Sequence, residues 1–146
     1  MRMDPLLHGL IVACVLAALF HRGNLDRRRR ALAIDGQRTA GTLVVAANSF
    51  SDAWTGLLNH ASLAPREGLW LRGRSIHTRG MLFPIDVVFV DRQGLILKIV
   101  ESIPPARRRV AGPRGTRATL ELAAGAARRE FSLTVGRKLE LLPWQS

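Results

Sequence analysis

A small, mainly β domain is the fold class that this sequence predicts: a β-sandwich or partly open, jelly-roll-like barrel with one short helix, preceded by an apolar N-terminal helix. Three observations lead there. From about Gln37 onward, short apolar runs alternate with Gly, Pro and Asp turn signals. The central run Ile85–Val90 is apolar on both faces for most of its length, and a tight turn joins it to a matching run. In this part of the chain, one good segment, near residues 51–61, has helical spacing. The 146 residues accordingly divide into an apolar helix and basic linker over 1–34 and a β domain over 35–146. That length suffices for one core without disulfides.

The first segment, Leu6–Phe20, reads LLHGLIVACVLAALF and is apolar all around a helix, so it calls for a membrane or a deep groove. At about 1.5 Å per residue it reaches about 22 Å, short of the roughly 30 Å hydrocarbon core. The leading expectation is a membrane-associated protein with Arg22, Arg27–Arg30 and the domain on the cytoplasmic side. The alternatives are a soluble cytoplasmic protein whose terminal helix docks on the domain or on a second copy, and an exported protein. Export is disfavoured, because the first small-residue cleavage pattern after Phe20 is Ala31–Ala33, beyond the basic cluster. Ile11–Cys14 resembles a lipoprotein box, but the apolar run continues past Cys14. As the single cysteine, Cys14 offers neither a disulfide nor a cysteine metal site.

The β domain opens with Thr42–Ala47, rich in β-branched residues. Ser51 or Asp52 can cap the helix that follows, and Trp54, Leu57, Leu58 and Ala61 share one of its faces. Pro65–Gly68 ends it and leads into a strand, Leu69–Arg72. Next comes a turn region around His77, then Ile85–Val90, whose apolar character on both sides predicts a central strand. Asp91–Gly94 closes a hairpin with Leu95–Glu101. Pro104 and Pro105 break the ladder, and Arg107–Gly115 reads as a charged loop. In Ala118–Leu122, Ala118, Leu120 and Leu122 share one face while Thr119 and Glu121 share the other. Ala123–Arg129 reads as a short turn or helix, and Lys138–Leu142 closes the domain with Leu139 and Leu141 inward.

The order of these segments resembles the bacterial and archaeal family known as domain of unknown function 192. The matching residues are Gly56, Leu57 and Leu58; Ile76, His77, Thr78, Met81, Pro84, Ile85, Asp86 and Phe89; Pro104 and Pro105; and Leu120, Glu121 and Gly125. The resemblance covers roughly residues 40–142. Two departures stand out: members usually carry an Arg shortly before Gly56, where this chain has Ala53–Thr55, and a Gly-Asp near the end, where it has Gly136 and Arg137. The resemblance implies a mostly β, jelly-roll-like fold and no established activity.

Asp86 stands at the head of an apolar strand, where an unpaired carboxylate would be costly. It is expected to accept backbone N–H groups of residues 78–83 and so pin the His77–Pro84 loop. The function expected is that of a non-catalytic binding or accessory module, with His77, Thr78, Met81, Asp86 and Glu121 as a pocket or a structural network. The alternative is a small-ligand or hydrolase-like enzyme using His77 as base with Asp86. No glycine-rich nucleophile elbow supports it. One His and two carboxylates on separate strands fall short of a metal site, and no cofactor is expected.

The formal charge of +11, from 22 basic and 11 acidic residues, raises a third class. Lys98 and Lys138 are the only lysines, and abundant Arg with abundant Ala is also what a GC-rich coding sequence produces. Arg107, Arg108, Arg109, Arg114 and Arg117 are nevertheless candidates to meet phosphates. An anionic membrane surface is the favoured partner of that class. Nucleic acid is the lesser one, since stacking aromatics are scarce: Trp70 and Trp144 are the tryptophans of the β region, and the chain has no Tyr.

Overall fold

The computed structural model of the chain describes residues 28–47 and 63–145. Strand β1 spans Arg29–Ile34 and lies where the sequence reads as basic linker, so the sheet begins ahead of the boundary expected at residue 35. Asp35 and Gly36, both at positive φ, form the two-residue turn that doubles the chain back into β2, Gln37–Arg38. Amide and guanidinium donors hold this turn. Asp35 accepts the Lys138 N–H at 2.9 Å and the Arg137 Nε–H at 2.8 Å, and these bonds keep its carboxyl below the usual carboxylate range.

Strand β3, Leu43–Ala47, is antiparallel to the start of β1 and parallel to β4, Glu67–Arg72. Parallel neighbours need a crossover connection. Here it runs through residues 48–62, which lie outside the described residues, as does the expected helix at 51–61. The expected N-terminal apolar helix lies outside them too. From β4 the sheet continues antiparallel through β9, Ala118–Ala123, then β6, Ile85–Val90, then β7, Ile96–Ile103. On the far side of β1 lies β10, Leu139–Pro143, giving the order β10-β1-β3-β4-β9-β6-β7.

This sheet curls until its outer strands meet at one point. Leu95 bridges Lys138, the Ile96 N–H donates to the Arg137 carbonyl at 2.9 Å, and the Leu139 N–H donates to the Gly94 carbonyl at 2.8 Å. The result is the mainly β, half-open barrel that the sequence predicts; among the described residues its one helix lies within Ala123–Arg129, read from sequence as a short turn or helix.

Each face of the curled sheet carries its own core. On one face, Val88, Val90, Leu120 and Leu122 pack with Leu32, Val44, Ile96 and the segment holding Ala126, Ala127, Phe131 and Leu133. That segment includes the helix α1, Ala126–Arg129. On the other face, Leu69, Ile85, Val87 and Phe89 pack with Ile76, Met81 and Ile103. A small second sheet covers this face, formed by β5, Ser75–Ile76, and β8, Val110–Ala111. With both faces covered, all six residues of β6 are buried, which is why its sequence is apolar on both sides apart from Asp86.

Candidate functional site

Asp86 is fully buried and satisfied, but by donors other than those expected. Its Oδ1 accepts the N–H groups of Ser102 at 2.8 Å and Gly125 at 3.0 Å, and its Oδ2 accepts the Ala127 N–H at 3.1 Å. The expectation that it pins the His77–Pro84 loop is therefore corrected. A bulge in β7 places two residues opposite Asp86, and Ser102 at positive φ turns its amide inward. Gly125 and Ala127 belong to the start of α1, whose first amides have no partner within the helix. Asp86 thus caps a helix from a distant strand and fastens it to the β6–β7 ladder.

The loop expected to depend on Asp86 is held by Thr78 instead. Its hydroxyl donates to the Pro104 carbonyl at 2.8 Å and accepts the Arg107 N–H at 2.9 Å. Its backbone N–H donates to the Arg107 carbonyl at 3.0 Å, and its carbonyl accepts the Ala106 N–H at 2.9 Å. Four bonds therefore tie the diproline segment to the 75–84 segment. Met81, buried in the core of that side, adds an apolar anchor. His77 is half-buried between Ile76 and Thr78.

Glu121 differs from all of these. It stands opposite Leu69 on β4 and Val87 on β6, among the aliphatic residues of the loop-covered face, and is 4% exposed. No hydrogen bond or ion pair reaches its carboxyl among the described residues, and burial alone pushes it up to about 8. Two residues along the same strand face, Thr119 is also buried, and its hydroxyl has no hydrogen-bond partner. At neutral pH the site therefore presents a protonated carboxyl and a hydroxyl, each able to donate and accept, spaced about 7 Å apart on an apolar floor.

The structure thus separates the residues named from sequence. Met81 and Glu121 belong to the loop-covered face together with the His77–Thr78 segment. Asp86 projects from the other face, because Val87 and not Asp86 stands opposite Glu121. Thr119 is the site residue that sequence reasoning did not single out. Its place beside Glu121 in the alternation of Ala118–Leu122 was the available signal. Arg107, Arg108, Arg109 and Arg114 are all exposed. Among the described residues no group of three His, Cys, Asp or Glu side chains could hold a metal ion, and no helix is long and apolar enough to cross a membrane.

Comparison with known proteins adds a family and a fold. The family profile DUF192, described as "Uncharacterized ACR", matches residues 31–141. No curated protein matches the chain. Among solved structures, a protein of Sinorhizobium meliloti 1021 described as a "putative transcription regulator" superposes with a TM-score of 0.65 at 24% identity, over 77% of this chain and 92% of that one. A protein of unknown function from Novosphingobium aromaticivorans DSM 12444 gives a TM-score of 0.64 at 21% identity, over 75% of this chain and 83% of that one. At such identities the likeness carries the fold alone.

Proposed function

The chain belongs to the family of domain of unknown function 192, and we propose that it works as a non-catalytic binding module whose ligand meets Glu121 and Thr119 on the loop-covered sheet face. The observation that carries this reading is Glu121, 4% exposed among aliphatic side chains, with no hydrogen bond to its carboxyl among the described residues. A buried acid kept without a partner costs the fold free energy that a Leu in its place would not. A ligand supplying both a donor and an acceptor offsets that cost and gains strength from the low dielectric around it. The protonated acid favours neutral hydrogen-bonding groups such as amides and hydroxyls over anions.

A binding role fits better than the hydrolase-like alternative because Asp86 has its oxygens taken up by three amides and faces away from the His77 side of the sheet. The test is a thermal-shift screen of neutral amides, polyols and nucleosides against the protein and its Glu121→Leu and Thr119→Val variants. Compounds that raise the melting temperature of the parent and lose that effect in both variants support the reading. A screen whose hits act equally on all three proteins, or an ordered water filling the site in a crystal with no hit found, overturns it. Turnover of a hit into product would instead favour an enzyme.

A further inference from the structure

We infer that the arginine surface built from the β4–β5 connection and the β8–β9 loop is a docking face for an anionic lipid bilayer. Backbone bonds bring the two segments together. Arg72 pairs with Ala118, the Gly73 N–H donates to the Arg117 carbonyl at 3.0 Å, and the Gly112 N–H donates to the Arg74 carbonyl at 2.7 Å. The Arg74 Nε–H returns a bond to the Gly112 carbonyl at 3.1 Å, and β5–β8 pairing continues the contact toward Arg107–Arg109. Neither segment holds an acid: none occurs from Gly68 to Ile85 or from Ser102 to Leu120. Arg72, Arg74, Arg114 and Arg117 are all exposed.

The opposite end of the sheet is arranged otherwise. There Arg66 faces Glu130 and Arg128 faces Glu101, so that cations and acids offset one another. Asp91 follows Val90, whose carbonyl accepts the Arg117 N–H, and its Oδ1 accepts the N–H groups of Gln93 and Leu95.

One feature favours a bilayer over a nucleic acid. Neither arginine segment exposes a Phe or Trp on which a base could stack.

The test is co-sedimentation of the full chain with phosphatidylcholine vesicles, with and without phosphatidylglycerol. Phosphatidylglycerol is expected to raise binding by about tenfold at low salt, an enhancement that high salt removes. The combined Arg72→Gln, Arg74→Gln, Arg114→Gln and Arg117→Gln variant should lose most of that enhancement while keeping its melting temperature and its binding to neutral vesicles. The inference is overturned if the enhancement is missing in the parent, if it survives the four-arginine variant, or if that change instead abolishes binding to a single-stranded oligonucleotide that the parent prefers to the vesicles.

Discussion

Asp86 on β6 and Glu121 on β9 occupy adjacent strands one residue out of register, so their carboxyl groups leave opposite faces of the same sheet. Among the described residues, one accepts three amide N–H groups and the other accepts none. Two buried acids a strand apart therefore have separate physical roles, and substitutions at them should behave differently.

Removing the Asp86 side chain strips Ser102, Gly125 and Ala127 of their acceptor at a position closed to water. Asp86→Ala is expected to cost on the order of 3 kcal/mol, because three amide donors, that of Ala127 at a buried position, lose their shared acceptor together. Urea unfolding measures it, with Asp86→Asn as the closer control, since it keeps one acceptor oxygen. A midpoint for Asp86→Ala within error of the parent would show that these amides find other partners.

Glu121 should make stability fall with rising pH. Its carboxyl moves from the ordinary 4.5 up to about 8 on folding, so between those values the folded chain holds a proton that the unfolded chain has released. This contribution is fully present below about 4.5, declines through the window and is gone above about 8. Its span is on the order of a few kcal/mol. Glu121→Gln removes the titrating proton, so the difference in urea midpoint between parent and variant should change steadily from pH 5 to pH 9. Parallel curves across that range would mean that the acid is paired or wet.

What could be seen in the sequence follows from how local each signal is. The β6–β7 hairpin was legible because its information lies within a few residues: an apolar run, then Asp91, whose side chain bonds the amides of Gln93 and Leu95, then Gly94. β1 was not, because RRALAI reads as the end of a basic linker and becomes a strand through pairing with β10 more than 100 residues away. Asp35-Gly36 was its one local marker. The need for Asp86 to be satisfied was readable from its apolar setting, but its donors lie 16, 39 and 41 residues along the chain. Glu121 alternates with leucines like a residue of a half-solvated strand. That its face is covered depends on β5 and β8, two short strands with little signal of their own.

Thr78 offers a test of the loop without touching either acid. Thr78→Val keeps the shape and removes one donor and one acceptor, leaving the Pro104 carbonyl and the Arg107 N–H unpaired. The expected loss is about 2 kcal/mol, with faster proteolytic cleavage within Arg107–Arg109, while Thr78→Ser should restore most of it. Equal cleavage rates in parent, Val and Ser forms would remove the hydroxyl from any role in holding the diproline segment.

Closure of the barrel depends on Gly94. It sits at a φ of +86, and a Cβ there would run into the backbone carbonyl of Leu139, which cannot move aside without opening the seam between β7 and β10. Two costs therefore add in Gly94→Ala: the left-handed conformation of about 1 to 2 kcal/mol, and the steric clash. Gly36 separates them, since its φ is +81 but nothing lies within 4 Å of the added methyl. Gly36→Ala should lose only the conformational part, whereas Gly94→Ala should lose at least about 2 kcal/mol more. It should also expose the amides of Ile96 and Leu139 to faster hydrogen exchange. Similar losses at the two glycines, with protection at Ile96 and Leu139 unchanged, would show that the sheet holds its curl without this contact.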